Sequence, residues 1–459
     1  MDLLLDVDLS AGRRAGIERA LRAAIRGGRL AAGSALPSTR ALAADLGVAR
    51  GTVVDAYDQL VAEGYLTARP GGRTAVASLP AAVPSPDPVT VLPDPAVDLR
   101  AGAPDLSGFP AAAWTAAIRA VLRSGPADAL DYAPPRGRAE LAGALAGYLA
   151  RSRGVVAAPE QVVVCSGIDH ALDVVARALA ATGRSALALE DPCLPLHRRI
   201  VAGAGTAVLP APVDGDGVVI DALATSGAGA AVVTPARQSL LGTTLAPARR
   251  SALLSWARAG DRVVVEDDYD GELRYDRQPI GAVQGLDPER VVYLGTLSKS
   301  LAPGLRLAWA VVPAGLARAV DGVLGPHSPV SSLDQLAVAG LLRSQAFDRH
   351  LRRRRATYRR RRDDFVDRLA STAPRVRVEG VAAGLHALVR WPEDAATEAE
   401  ALTEAAARGI AVTALGPCWH ATPRFGGLVV GYGRPPAHDA RRRYEAFASL
   451  MADLTATPR

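Results

Sequence analysis

Residues 78–99 divide this chain in two. Prolines stand at Pro80, Pro84, Pro86, Pro88, Pro93 and Pro95, among alanines, valines and few charges. Closely spaced prolines keep a chain extended and semi-rigid, so the segment is expected to be a linker. Before it, residues 1–77 read as a compact helical unit ending in a short hairpin. After it, residues 100–459 alternate apolar β-like runs with amphipathic helices. That alternation predicts an α/β fold with a largely parallel sheet.

The 459 residues suffice for two or three domains and a large core. With 49% hydrophobic and 22% charged residues the composition is that of a globular protein. No run of 18 apolar, uncharged residues stands out, so no membrane partner is expected. The acidic start, Met1 to Asp8, lacks the basic region of a secretory signal. Cys165, Cys193 and Cys418 are too few and too scattered for a disulfide framework or a zinc site. A reducing cytoplasm is therefore expected. Their positions suit the core or a pocket lining better than reactive thiols.

In the first unit, Ile17, Leu21 and Ile25 recur at helical spacing within residues 15–29, and Gly27-Gly28 ends that helix. Ser38 or Thr39 is placed to cap a helix over 40–46, Gly47 supplies a turn, and a second helix is expected from 49 or 50 to 63. Val53, Val54, Tyr57 and Leu60 mark its buried face. Two short helices joined through a glycine turn are the helix-turn-helix signature. The second would present Arg50, Gly51, Thr52 and Asp55 where base edges are read. Ser38 and Arg40 would meet phosphate. Arg69, Gly72 and Arg73 belong to the tip of a β-wing able to reach an adjacent groove. Charge alone does not decide the matter, since ten arginines face eight acids in residues 1–77. The run from Leu36-Pro37-Ser38-Thr39-Arg40 through Gly47-Val48-Ala49-Arg50-Gly51-Thr52 to Glu63-Gly64-Tyr65-Leu66 does: it resembles the winged helix of GntR-type regulators. The resemblance implies binding to a double-stranded DNA operator.

Lys299 is the only lysine of the chain; the other 52 of its 53 basic residues are arginines. A guanidinium stays protonated, whereas a lysine can lose its proton and attack a carbonyl. Lys299 follows the apolar run Val291-Val292-Tyr293-Leu294, at the carboxyl end of an expected strand. Three further pieces fit one cofactor. The first is the strand Val263-Val264-Val265, which runs into Glu266, Asp267, Asp268 and Tyr269. Asp267 would pair with a protonated pyridine nitrogen, and Tyr269 would donate to a ring oxygen. Read alone, Asp267, Asp268 and Asp270 would also suit a magnesium ion. No nucleotide-binding glycine pattern accompanies them, so no metal is expected. The second piece is Ser166-Gly167-Ile168, a strand-to-helix turn whose free N–H groups suit a phosphate. The third is Ser298 with Arg306, seven residues beyond Lys299, able to fold onto the same phosphate.

Together these stretches resemble the fold-type I aminotransferases that bind pyridoxal 5'-phosphate (PLP), and the likeness covers residues 100–459. It implies a large domain with a mostly parallel sheet and a small α+β domain. A winged helix, a linker and such a domain resemble the MocR subfamily of GntR regulators. In that family the tyrosine matching Tyr132 contacts the cofactor phosphate of the neighbouring subunit, which implies a head-to-tail homodimer.

The chain also departs from the family. Arg237 stands for a histidine and Leu240 for a proline in Thr234-Pro235-Ala236-Arg237-Gln238-Ser239-Leu240-Leu241-Gly242. Leu194 replaces a tyrosine in Glu190-Asp191-Pro192-Cys193-Leu194-Pro195. Where active aminotransferases hold an arginine for the substrate carboxylate, this chain has Val429, with Arg424 the nearest cation in sequence. PLP binding is thus expected with little amino-acid turnover. Two runs of four arginines, at 352–355 and 359–362, lie on a helix whose buried stripe is Leu351, Tyr358 and Phe365. Its basic face is either simply solvated or a second DNA contact. His386 reads as a structural histidine. The functional expectation is a PLP-binding regulator whose effector is PLP, an amine or an amino acid. The alternative is an active aminotransferase with a DNA-binding appendage.

Overall fold

The structure is a computed structural model that describes residues 7–8, 12–68, 73–78, 95–275 and 280–456. Arg69 and Gly72 of the expected wing tip, and 79–94 of the expected linker, lie outside the described residues. Chain contacts divide the protein into Met1–Leu92 and Pro93–Arg459.

The small unit contains the helices Arg13–Arg26, Thr39–Asp45 and Arg50–Ala62, followed by the antiparallel strands Leu66–Thr67 and Ala75–Val76. Ile17, Leu21, Leu42, Val53, Tyr57 and Leu60 form its core. Ser38 caps the second helix by accepting from the Ala41 amide at 3.2 Å, a contact worth about 1 kcal/mol. Gly47 turns the chain at φ +61°, where a side chain would be strained. The buried face of the third helix is Val53, Ala56, Tyr57 and Leu60. Val54, expected on that face, is half-buried. The spacing 53, 56, 57, 60 follows one helical stripe, and position 54 is rotated about 100° away from 53.

The large unit is built on an eight-stranded sheet. Its strands run in the order Val162–Cys165, Ala308–Val311, Val291–Thr296, Val263–Asp267, Ala230–Val233, Ala186–Asp191, Ala207–Asp214, Gly217–Val218. The four pairings from Val291–Thr296 across to Ala207–Asp214 are parallel. Ala308–Val311 runs antiparallel to both neighbours. The central strands are apolar on both faces because helices cover both faces. Val163 and Cys165 pack in one core and Val162 and Val164 in another.

A second, four-stranded antiparallel sheet joins Arg377–Glu379, Ala387–Arg390, Leu428–Val430 and Thr413–Ala414. The long helix Ala346–Thr372 packs against Ala440–Thr455 through Tyr358, Phe365, Tyr444 and Phe447. Phe365 is fully buried, and truncating such a ring costs about 3–5 kcal/mol. Val97–Asp98, within the segment expected to be linker, pairs as a strand with Ile410–Ala411.

Candidate functional site

Parallel strands leave their carboxyl ends open to a crevice, and the helix N-termini that follow point into it. Asp267 ends one central strand and is paired in register with Leu294 on the next. Lys299 follows that next strand within five residues of Leu294. The lysine is half-buried, and its Nζ donates to the Gly102 carbonyl at 2.6 Å. Burial pulls its pKa down, while Asp270, Asp267 and Asp169 oppose the shift. Burial first, and Asp268 second, push the Asp267 carboxyl up to about 8, with Lys299 opposing. Asp267 is buried and its Oδ1 has no partner. A buried carboxylate oxygen without a protein donor is costly, so Asp267 Oδ1, like Asp268 Oδ1 beside it, is open to a donor from outside the protein.

Tyr269 lies beside them. Its hydroxyl accepts from Arg237 Nη1 at 2.7 Å and also hydrogen-bonds to the Asp270 carboxyl, helping to lower that group's pKa against burial. Arg237 is buried and fully engaged on one side. It pairs with Asp270 at 3.1 Å and donates to the His386 carbonyl at 2.6 Å. His386 is buried, its Nε2 lying 2.8 Å from the Ser239 carbonyl, and burial holds it well below its usual pKa.

Gly167 turns the chain at φ +84° into the helix Ile168–Ala181. A Cβ there would come within 2.6 Å of the Arg306 guanidinium, so the arginine lies flat against this turn. Arg306 Nη2 donates to the Ser166 carbonyl at 2.9 Å. Ser166, Gly167, Ile168 and Arg306 are thus brought together. Ser298 is buried, and its hydroxyl accepts from Thr296 at 3.0 Å. Tyr132 is 77% exposed and stacks on His327, with ring centroids 4.4 Å apart.

The departures are also located. Val429 is fully buried in a cluster with Leu240, Leu241, Leu388 and Trp419. Arg424 donates to the Val213 carbonyl and lies 5.1 Å from the Trp419 ring centroid. Leu194 is partly exposed ahead of the helix Pro195–Gly203. All three cysteines are buried, and burial pushes their thiols up, Cys193 to about 12.

Sequence reasoning missed what surrounds the acidic run. Asp268 faces away from Asp267's crevice into a buried pair with Arg153 at 2.6 Å, and accepts from the Tyr293 hydroxyl at 2.7 Å. Asp270 is neutralised by Arg237. Each of these acids therefore has its own cation. Among the described residues no group of three or more His, Cys, Asp or Glu is arranged to hold a metal ion. The partners Arg153 and Arg237 lie 115 and 33 residues from these acids, so no local spacing announced them.

In the small unit, Ser38, Arg40, Arg50 and Arg73 are exposed and Thr52 is half-buried. Arg50 Nε lies 3.4 Å from Thr39 Oγ1, bringing the starts of the two helices together. The Ser38 oxygen accepts in its cap, which leaves the hydroxyl proton free to meet an anion.

Residues 13–76 match the GntR family of bacterial regulatory proteins, and residues 94–425 match aminotransferase class I and II. The pyridoxine biosynthesis transcriptional regulator PdxR of Corynebacterium glutamicum is 35% identical over 91% of each chain. The probable rhizopine catabolism regulatory protein MocR of Rhizobium meliloti is 34% identical over 94% of this chain and 92% of its own. An archaeal alanine:glyoxylate aminotransferase shares the fold, with TM-score 0.70 and 24% identity over 78% of this chain and 91% of that one. No helix among the described residues is long and apolar enough to cross a membrane. With both halves matched, and with relatives similar along nearly their whole length, this chain belongs to the MocR-type GntR transcriptional regulators, which join a helix-turn-helix to an aminotransferase-like domain.

Proposed function

We propose that this regulator binds PLP at the strand-end crevice and that cofactor or effector binding there changes its affinity for DNA. The observation that carries this is the buried, unpartnered Oδ1 of Asp267 in the same crevice as the chain's one lysine. A protonated pyridine nitrogen is the donor such an oxygen fits. PLP supplies a carbonyl that an amine can join and a ring that withdraws electrons. Lys299 is the amine of the protein: burial favours its neutral, nucleophilic form. Asp267 would hold the ring nitrogen, and Tyr269, oriented by Arg237, would donate to the ring oxygen. The amides of Gly167 and Ile168, the Ser166 and Ser298 hydroxyls and the Arg306 guanidinium would hold the phosphate.

Residues 1–77 would bind the operator, 78–99 would link, and 100–459 would bind the effector and dimerise. Arg50 and Thr52 would read bases. Ser38 and Arg40 would hold phosphate, and Arg69, Gly72 and Arg73 would form the wing contact. The helix Ala111–Ser124 is apolar along one side yet has no fully buried residue. Leu130 and Tyr132 are 75% and 77% exposed. A second copy is the natural cover for them, and it would bring Tyr132 to the partner's phosphate site in a head-to-tail homodimer. A cytoplasmic location follows for a DNA-binding protein.

The C. glutamicum relative is named for pyridoxine biosynthesis, which favours PLP itself as the effector; the R. meliloti relative is named for rhizopine catabolism, which favours a catabolised small molecule. A ligand shifts DNA affinity only through a difference in its affinity for the two arrangements. Amino-acid turnover should be weak: Val429 sits in an apolar cluster, Arg424 is held at Val213, and Arg237 is neutralised by Asp270. The test records the visible absorbance of the protein with PLP, traps the cofactor with borohydride, and repeats DNA binding with and without PLP. A protein that gains no visible band in excess PLP overturns the reading. Rapid keto-acid production from a common amino acid would favour the enzyme instead.

A further inference from the structure

The helix Ala346–Thr372 uses its arginines in two ways. Facing inward, Arg361 donates to Asp105 at 2.6 Å, Arg354 lies over the Tyr358 ring, and Arg355 donates to the Arg274 carbonyl at 2.9 Å. These contacts, with Leu351, Tyr358 and Phe365 buried beneath, fix the helix's rotation. Facing outward, Arg349, Arg352, Arg353, Arg359 and Arg360 are exposed. Among the described residues no ion pair engages Arg352, Arg353, Arg359 or Arg360. The acids of the helix, Asp348, Asp363, Asp364 and Asp367, stand outside residues 349–362. Like charges one turn apart repel, so a rigid stripe of this kind weakens the helix unless anions meet it.

From 349 to 360 the stripe spans about 17 Å at 1.5 Å per residue. Duplex DNA presents about ten phosphates in that length. Two hollows of about 270 and 280 Å³ flank its first turns and share Arg151. Gly143 and Gly147 line one of them, and Arg352 and Arg355 line the other. A protein partner would need an apolar centre to the patch. The one other exposed position between 349 and 360 is Ala356. Planar guanidinium groups without apolar neighbours suit phosphate.

We infer that the outer stripe Arg349, Arg352, Arg353, Arg359 and Arg360 is a second, sequence-independent contact for the phosphate backbone of duplex DNA. It rests on the DNA-binding reading of the small unit and adds a surface on the large one. The test uses the full-length protein and a random-sequence 60-base-pair duplex across a salt series. It compares wild type with the quadruple variants R352A/R353A/R359A/R360A and R352K/R353K/R359K/R360K. Each lost phosphate contact lowers the slope of log K against log salt by about 0.9. The alanine variant should lose about 2–4 from that slope, and the lysine variant should keep it. The near-ultraviolet circular dichroism of both should match wild type, since the changed side chains are exposed. An alanine variant that keeps wild-type affinity and slope overturns the stripe alone. A wild-type protein that binds no duplex at any salt overturns the DNA-binding reading with it.

Discussion

The helix-turn-helix and the strand-end crevice both rely on charged side chains, but they keep them in opposite surroundings. Arg40, Arg50 and Arg73 stand in water. Asp267, Asp270 and Arg237 are buried. An exposed cation meets a polyanion by exchanging counterions, so its contribution depends on salt and tolerates small displacements. A buried carboxylate has already lost its water, so its contribution depends on one donor in one place. Mutations in the crevice should therefore act in an all-or-none fashion on a small ligand. Mutations in the winged helix should act by graded, salt-dependent steps.

The largest effect expected is at Lys299. Lys299→Ala should abolish the visible absorbance of the PLP complex and leave nothing for borohydride to trap, with the fold intact by circular dichroism. Trapping retained in this variant would break the contrast, because it would have to fall on the N-terminal α-amino group and not on a lysine at the strand end.

Asp267→Asn comes next. The amide keeps the shape but loses the charge that matches a ring N–H. Hydrogen bonds to charged groups are worth about 1.5–3 kcal/mol, so PLP should bind about 10–150-fold more weakly. Equilibrium dialysis measures this, and the effect should barely change between low and high salt. A strong salt dependence would place the site in water.

Arg50→Ala and Arg40→Ala sharpen the other side. If Arg50 reads a base, its loss should cost about 1–3 kcal/mol on DNA selected for tight binding and less on random DNA. Arg40→Ala should weaken both DNAs about equally and lower the salt slope by about 1. Two variants that bind both DNAs like wild type would show that another surface does the reading.

The sequence made the winged helix legible because its contacts are local: the Ser38 cap, the Gly47 turn and the 53-to-60 stripe all lie within a few turns. It made Lys299 and Asp267 legible because each ends an apolar run, and parallel strands align such ends. What it hid were the partners that come from far along the chain. Asp105 was no candidate until Arg361 was found to reach across 256 residues to it. The acidic run looked like three equivalent ligands. The pleat turns Asp268 away to Arg153, and the loop delivers Asp270 to Arg237. Val54 was misplaced for a simpler reason: an apolar residue beside a stripe reads like a member of it.

The smallest effect expected is in stability against pH, and it comes entirely from the buried region. Without PLP, burial holds Asp267 at about 8, and burial with the Asp268 charge holds Glu266 and Glu272 at about 7. A carboxyl whose folded pKa lies above its unfolded value keeps a proton that the unfolded chain has shed. The stability it contributes is complete below the unfolded pKa and is lost as pH rises through the folded one. His197 and His386 act with the opposite sign below their ordinary value of about 6.5, because burial keeps them neutral. Lys299, its pKa lowered by burial, adds stability as pH rises toward its unfolded value and so opposes the carboxyls, whose window lies above the histidines at about pH 6.5 to 8. In that window the Tm of PLP-free protein should fall by a few degrees. Asp267→Asn should flatten the upper part of the fall, between about 7 and 8, where only Asp267 of the three still titrates. The isolated winged-helix surface, with its exposed arginines, has no counterpart to this behaviour. Added PLP should also reduce the fall, since a cationic ring nitrogen supplies the donor that Asp267 Oδ1 lacks. A PLP-free protein whose Tm is flat from 6.5 to 8 would mean that the crevice is already solvated, and the contrast between the two regions would lose its physical basis.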